Sequence, residues 1–306
     1  MNLNIKNETS TLRAVVLGQP GSIGKVPDIG STYDAKSYES VLNGVYPTEE
    51  AIYKEMSAFE KILLKYDVQV FRPWTLENCN QVFARDVGFV IGDKIINSNI
   101  IPDREDEKEA YEVIYDQISY NKIYNLPERA HVEGGDVVLY NDIVFVGLYT
   151  GADYSQLKTA RTNEYAFSFL KEIIPDKIFI PLELKKHDTN PYQGVLHLDC
   201  AFMPVAGNKA LIYKDGFRYE KDYLLLKEMF GAKNLFEITQ EEMYYMNTNI
   251  FSLSPKVVVS EQHFTRLNNF LAEEWGLTVE CVPYREISKM GGLLRCSTLP
   301  LIRAND

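Results

Sequence analysis

Val82-Phe83-Ala84-Arg85-Asp86-Val87-Gly88-Phe89-Val90-Ile91-Gly92-Asp93-Lys94-Ile95-Ile96-Asn97 reads as strand, turn, strand. The apolar runs Val82-Phe83-Ala84, Phe89-Val90-Ile91 and Ile95-Ile96 have strand length. Gly92-Asp93 between the last two suits a tight hairpin, because such dipeptides tolerate positive φ. A charged stretch with helical character follows, from about Arg104 to Ile118.

The pattern recurs. Val137-Val138-Leu139-Tyr140, an Asn141-Asp142 turn and Ile143-Val144-Phe145-Val146 repeat the hairpin; residues 163–174 supply a helix and Lys177-Ile178-Phe179-Ile180 a strand. A third copy runs from His197 to Tyr213 with Gly207-Asn208 at its turn, then a helix near Glu220–Phe230. A fourth runs from Asn247 to Ser260 about Ser254-Pro255, with a helix over 262–275 and a strand over 277–282. The fifth is split between the chain's two ends: one strand over 12–17, another over 297–302. Its helix opens at Thr48 with acidic Glu49 and Glu50, and Ile52, Met56, Phe59 and Leu63 make one apolar face. Val68-Gln69-Val70-Phe71 completes it.

Five α/β units of roughly 50–60 residues, each a hairpin, a helix and a further strand, predict a ring of repeated modules closed by the terminal strands. The alternative is an open α/β sheet with two subdomains. No GxGxxG or GxxxxGK[ST] segment supports a doubly wound nucleotide fold, and no low-complexity linker divides the chain. The expectation is one domain over residues 1–306.

Unusual polar residues fall at the same place in each unit, at or before its first strand. They are Arg85 and Asp86, Glu133 and Asp136, His197 and Asp199, Asn247 and Asn249, and Cys296. In a ring of like modules these positions converge on the axis and share one pocket. Taken singly, each has a structural explanation. Gly134-Gly135-Asp136 is a common turn, Arg85-Asp86 a common surface pair, and a lone cysteine usually a small buried hydrophobe. His197-x-Asp199 within a strand would put both side chains on one face. His131, His187 and His263 belong to no constellation, and a zinc site from His197, Asp199 and Cys296 lacks ligand spacing.

Composition sets the bounds. The 306 residues are 45% hydrophobic and 25% charged, with a net charge of −11, which argues against nucleic-acid or anionic-membrane partners. Cys79, Cys200, Cys281 and Cys296 include no CxxC pair, as expected of free thiols in a reducing compartment. The first residues lack the apolar stretch of a signal peptide, and no run approaches ~18 apolar residues, so a cytoplasmic location is expected.

The ordered series Arg85-Asp86, Glu133-Gly134-Gly135-Asp136, His197-Leu198-Asp199, Arg161-Thr162-Asn163 and a Gly291-Gly292 segment ending at Cys296 resembles the pentein superfamily of guanidino-group-modifying enzymes. Its members include arginine deiminases and dihydrolases, dimethylarginine dimethylaminohydrolases, citrulline hydrolases and amidinotransferases. The resemblance implies a five-bladed α/β propeller with pseudo-fivefold ββαβ modules and a small guanidino substrate, without cofactor or metal. A homo-oligomer is compatible with it. It assigns Cys296 as nucleophile, His197 as acid–base group and Glu133 as the carboxylate orienting that histidine. Asp86 and Asp199 match guanidinium-binding aspartates, a role carboxylates fill bidentately. Arg161 matches an arginine that grips the substrate's α-carboxylate, with Lys158 and Arg85 as alternatives. Asp136, Asn247 and Asn249 are placed near the pocket without a step.

Amidinotransferases of this group typically carry aspartate at the position of Glu133, and dimethylarginine hydrolases often have lysine at that of Asp199. The chain also lacks the helical insertion of typical arginine deiminases. The expectation is a cysteine hydrolase of the guanidino or ureido group of arginine or a close relative. An amidinotransferase and a non-catalytic binder of an arginine-like cation are the alternatives.

Overall fold

Among residues 1–305, which the computed structural model describes, fifteen strands group into five sheets of three. β1 (Leu12–Leu17) and β2 (Gln69–Phe71) belong to the first. β3 (Gly88–Ile91), β4 (Lys94–Asn97) and β5 (Ile123–Asn125) form the second. β6 (Val137–Tyr140), β7 (Ile143–Leu148) and β8 (Ile178–Glu183) form the third. β9 (Phe202–Val205), β10 (Lys209–Ile212) and β11 (Leu235–Glu237) make the fourth, and β12 (Phe251–Ser254), β13 (Val257–Glu261) and β14 (Thr278–Val282) the fifth. β15 (Thr298–Arg303) returns to the first sheet, where Leu17 lies opposite Thr298.

Every sheet follows one plan. Its middle strand pairs antiparallel with one neighbour and parallel with the strand that follows the intervening helix. A parallel return needs a crossover, which the helices supply. The helix Glu49–Lys65 is capped by Thr48, whose hydroxyl oxygen accepts from Ala51 N at 3.2 Å. Ile52, Met56, Phe59 and Leu63 are fully buried, and Phe59 meets Phe251 and Tyr284 edge-on with ring centres 5.9 and 5.7 Å apart. Burial of each such side chain contributes about 1.5–3 kcal/mol.

Three local expectations are corrected. Val82-Phe83-Ala84 is not a strand: Ala84–Val87 is a single helical turn, and the strand starts at Gly88. His197-Leu198-Asp199 is likewise not a strand but the start of a 3-10 turn at Leu198–Cys200. Over 104–118 a 3-10 segment, Pro102–Tyr111, precedes a short helix, Glu112–Tyr115. The Arg104–Glu107 pair favours this geometry, because residues i and i+3 eclipse in a 3-10 turn. The third hairpin turns through Ala206-Gly207-Asn208, which contains the expected Gly207-Asn208, with φ of 50° at Ala206 and 77° at Gly207.

Candidate active site

Each sheet is entered through a tight turn. Those at Ala84–Val87, Gly134–Asp136 and Leu198–Cys200 precede β3, β6 and β9, and turns at 245–248 and 294–297 precede β12 and β15. A strand would send Arg85 and Asp86 to opposite faces, whereas a turn frees their backbone for other partners. Arg85 N accordingly donates to Cys296 O at 2.9 Å, and Leu198 N to Asp136 Oδ1 at 2.9 Å. Asp136 also accepts from Thr162 Oγ1 at 2.7 Å, so it pins the backbone beside His197 to the neighbouring module.

His197 is fully buried, and its Nε2 lies 2.8 Å from Glu133 Oε2. Its Nδ1 has no hydrogen-bond partner and faces Asp86 Oδ1, equally unpartnered, at 3.6 Å. Burial disfavours a charged imidazole, but Asp86, Asp136 and Glu133 outweigh it and raise the His197 pKa. The paired glycines make this approach physically accessible. A Cβ on Gly135 would stand 2.5 Å from His197 Nδ1, and one on Gly134 would stand 2.0 Å from Arg85 O.

Cys296 sits in the turn before β15, with Sγ 3.2 Å from Asn249 Nδ2 and 3.7 Å from Asp199 Oδ2. Asn249 Oδ1 also accepts from Cys296 N at 3.1 Å, fixing the residue at both ends. Burial, then the charges of Asp199 and Asp86, hold the thiol well above its usual range. Asp86 thus acts electrostatically on both His197 and Cys296.

Three buried arginines complete the network. Arg104 grips Glu107 through Nε and Nη2 at 2.6 and 2.9 Å, and its Nη1 donates to Asp86 Oδ2 at 2.6 Å. Arg295 donates to Asp199 Oδ2 and to Glu8 Oε1, each at 2.8 Å. Arg161 Nη1 contacts both oxygens of Glu133 at 2.8 and 2.6 Å. With no ligand present the Arg161 guanidinium is matched to Glu133, the carboxylate that the resemblance assigns to orienting His197. Arg85 points its guanidinium toward Arg295 O and Thr298 Oγ1, each 3.4 Å away. Lys158 pairs with Asp103 at the surface, 2.7 Å away. Asn247 lines a cavity of about 320 Å³ with Arg266 and Arg285.

Sequence reasoning passed over Arg104 and Glu8, and took Arg295 only as a neighbour of Cys296. The available signal was chemical: an arginine between Leu294 and Cys296 in an apolar stretch needs a buried counter-charge. Asp86, Glu133 and His197 each offer one ligand atom within 4.8 Å of the others. Arg104 and Arg161 already neutralise the two carboxylates, so this donor set suits a proton carrier better than a metal ion.

Solved structures share this arrangement of sheets. The N-terminal domain of ArgZ, an arginine dihydrolase from the ornithine-ammonia cycle in cyanobacteria, is similar with a TM-score of 0.76. That match covers 95% of this chain and 97% of that one at 18% identity. The inosamine-phosphate amidinotransferase StrB1 of Streptomyces griseus is similar over 99% of this chain and 97% of that one, with a TM-score of 0.77 and 15% identity. With the family match that follows, they define the class as the pentein superfamily of guanidino-modifying enzymes. The chain belongs to the family described as N,N dimethylarginine dimethylhydrolase, eukaryotic, whose model matches residues 43–303. The uncharacterized protein YkgA of Bacillus subtilis (strain 168) is 31% identical over 226 residues, 73% of this chain and 70% of that protein.

Proposed function

We propose that the protein is a cysteine hydrolase of the guanidino or ureido group of arginine or a close relative, methylated arginines included. The observation that carries this reading is the facing pair of buried, unpartnered atoms, Asp86 Oδ1 and His197 Nδ1. Buried polar atoms are rarely left unsatisfied. An acceptor and an ionisable nitrogen side by side match a guanidinium N–H and a leaving amine. Membership of a family described by dimethylarginine hydrolysis supports the same chemistry.

In this reading the cation sits against Asp86 and Asp199, offsets the charges that hold the Cys296 proton, and lets the thiol ionise to solvent. The thiolate attacks the guanidinium carbon. Protonated His197, held through Nε2 by Glu133, gives its Nδ1 proton to the departing amine and leaves a thiouronium on Cys296. Neutral His197 then takes a proton from water as its oxygen adds to the same carbon. Expulsion of the thiolate releases the ureido product; a ureido substrate would pass through a thiocarbamate on Cys296 instead and leave as a carbamic acid, which loses carbon dioxide to free the amine.

We further take the five sheets to be blades of a closed propeller and the whole chain to be one catalytic domain. No helix among the described residues is long and apolar enough to cross a membrane, and all four cysteines are unbonded. Free thiols suit the cytoplasm, where we place the enzyme.

The test is incubation with arginine, dimethylarginine and citrulline, without any acceptor amine, assaying ammonia, dimethylamine and the ureido and ornithine products. Release of amine supports hydrolysis. Product only when glycine or another amine is supplied replaces the hydrolase with an amidinotransferase. Binding without product leaves a sensor of an arginine-like cation.

A further inference from the structure

The cavity of about 320 Å³ that Asn247 lines falls at the lower end of the range usual for small-molecule sites, about 300–1,000 Å³. None of Asp86, Glu133, His197, Asp199 and Cys296 lines it. Most of its charges are matched internally. Arg266 grips Glu242 through Nε at 2.7 Å and also through Nη2. His263 Nδ1 lies 2.9 Å from Oε1 of Glu261, whose side chain is 2% exposed. Two opposite charges are left over: Arg285 and Glu241 line the cavity with no ion-pair partner among the described residues. The Arg285 guanidinium packs over the Tyr245 ring, 4.3 Å from its centre. Asn247 adds an unmet need, because it is buried and its Oδ1 has no hydrogen-bond partner. Phe264 and Leu293, both buried, make part of the wall apolar.

A ligand that satisfies this lining carries a carboxylate for Arg285 and a positively charged N–H donor for Glu241 and Asn247. A simple anion meets like charge at Glu241, and a simple amine meets it at Arg285. We propose that this cavity is an effector site for a free α-amino acid in its zwitterionic form, whose binding holds the turn that carries Asn249 against Cys296.

The link is short. Asn247 N donates to Glu242 O at 3.0 Å and Asn249 N to Met246 O at 2.9 Å, so the cavity wall and Asn249 share one turn. Met246 sits in it at φ 65°, a left-handed conformation unfavourable for a bulky residue. Asn249 meets Cys296 at both Sγ and N, and its carbonyl oxygen accepts from Arg295 N at 3.2 Å. Arg285, in the helical turn Arg285–Ser288, belongs to the other segment, which runs through Leu293 to Cys296. A ligand bridging Asn247 and Arg285 therefore ties together the two segments that meet at Cys296. With both fixed, the thiol stays buried against Asn249 and reacts more slowly. The site itself stands without the proposed function, while its effect on turnover rests on Cys296 being the nucleophile.

The experiment uses full-length wild-type, Arg285→Gln and Glu241→Gln proteins. Calorimetric titration with glycine, L-norvaline and L-glutamine, none of which has a guanidino group, should show saturable binding of at least one to the wild type. Glutarate and putrescine each lack one of the two charges and should bind at least about tenfold more weakly, the scale of a lost hydrogen bond to a charged group. The same loss is expected for the bound amino acid with either variant. Alkylation of Cys296 by iodoacetamide is followed by peptide mass spectrometry. It should slow at least about threefold when the amino acid saturates the wild type, and clearly less in Arg285→Gln at the same concentration. No saturable binding of any of the three up to about 10 mM overturns the site. So do affinities for glutarate or putrescine that equal those of the amino acid. Equal slowing in wild type and Arg285→Gln would place the ligand beside Cys296 itself, and binding with an unaltered alkylation rate would remove the link to Asn249; either overturns the proposal. If Arg285→Gln does not fold, Glu241→Gln carries both readouts with the same expectations. If the wild type turns over no guanidino compound, the proposed function fails while binding and alkylation still decide this site.

Discussion

Asp199 Oδ2 lies 3.7 Å from Cys296 Sγ and accepts a hydrogen bond from Arg295 Nη1 at 2.8 Å. One carboxylate oxygen therefore serves both the candidate nucleophile and a buried guanidinium. Glu8 shares Arg295, so the positive charge opposite Asp199 is itself divided. An incoming cation competes with Arg295 for Oδ2, and Oδ1 already receives Cys200 Sγ at 3.6 Å. Asp86 Oδ1 carries no such competitor. The two aspartates, alike in the sequence reading, are thus unequal.

This inequality predicts different variants. Asp86→Asn should raise KM for a guanidino substrate about tenfold or more, and Asp199→Asn less; both should cost stability, because each leaves a buried arginine with one carboxylate, Glu107 for Arg104 and Glu8 for Arg295. Asp199→Asn should destabilise the protein by about 3 kcal/mol as well, since breaking a buried pair leaves part of Arg295 unmatched. Steady-state kinetics and urea unfolding on both variants check this. A KM raised no more by Asp86→Asn than by Asp199→Asn would contradict the inequality of the two aspartates.

Cys296 should be a thiol in the free protein and ionise more readily when a guanidinium binds. Burial and the Asp199 and Asp86 carboxylates raise its pKa, so thiolate absorbance should be absent below about pH 9, the model-thiol range. Titration of the wild type against Cys296→Ala isolates this residue from Cys79, Cys200 and Cys281. Adding a non-reactive guanidinium should bring the thiolate in at lower pH, and Cys296→Ala should lose at least about a thousandfold in turnover. A thiolate already present at pH 7 without ligand would contradict the resting state described above.

Gly135→Ala should cut turnover strongly with only modest loss of stability. The added methyl would sit 2.5 Å from His197 Nδ1, so the ring must rotate off Asp86 or the turn must shift. A loss of about a hundredfold in kcat is expected, the lower end of what positioned acid–base groups contribute. Wild-type kcat in Gly135→Ala would mean that His197 Nδ1 is not the working nitrogen.

Local patterns were legible and long-range charge pairing was not. The helix Glu220–Phe230 has the ends its sequence implies, and the Ile52, Met56, Phe59 and Leu63 face is buried as its spacing requires. Periodicity and turn chemistry act within a few residues, so one sequence suffices for them. The positions of Asp86, Glu133, His197, Asp199, Asn249 and Cys296 were legible because they recur before the first strand of each unit. The turn at 198–200 was not, since it depends on Leu198 N finding Asp136, which is 62 residues away. The partner of Arg295 lies 287 residues off at Glu8, and no spacing rule reaches that far. Arg161 shows the same limit: its contact with Glu133, 28 residues away, follows no spacing rule.

Glu8 gives the last prediction, a pH dependence of stability with a definite sign. Burial pushes its carboxyl upward, but Arg295, Arg85 and Arg303 more than offset this and bring its pKa from 4.5 to about 2. The folded pKa therefore lies below the unfolded one. Between them the unfolded chain binds more protons, so stability rises with pH across that window and is complete above it. The contribution is about 3 kcal/mol at neutral pH, from roughly 2.5 pKa units at about 1.4 kcal/mol each. Glu8→Gln removes it and leaves Arg295 with Asp199 as its carboxylate partner. Urea unfolding of wild type and Glu8→Gln at several pH values should show a gap of at least about 3 kcal/mol at pH 7. That gap should narrow steadily as pH falls from about 4.5 toward 2, because the wild type then loses the Glu8 charge that the variant never had. A gap that stays constant over this interval would assign the loss to packing around residue 8, and the charge link from Glu8 through Arg295 to Asp199 would have to be abandoned.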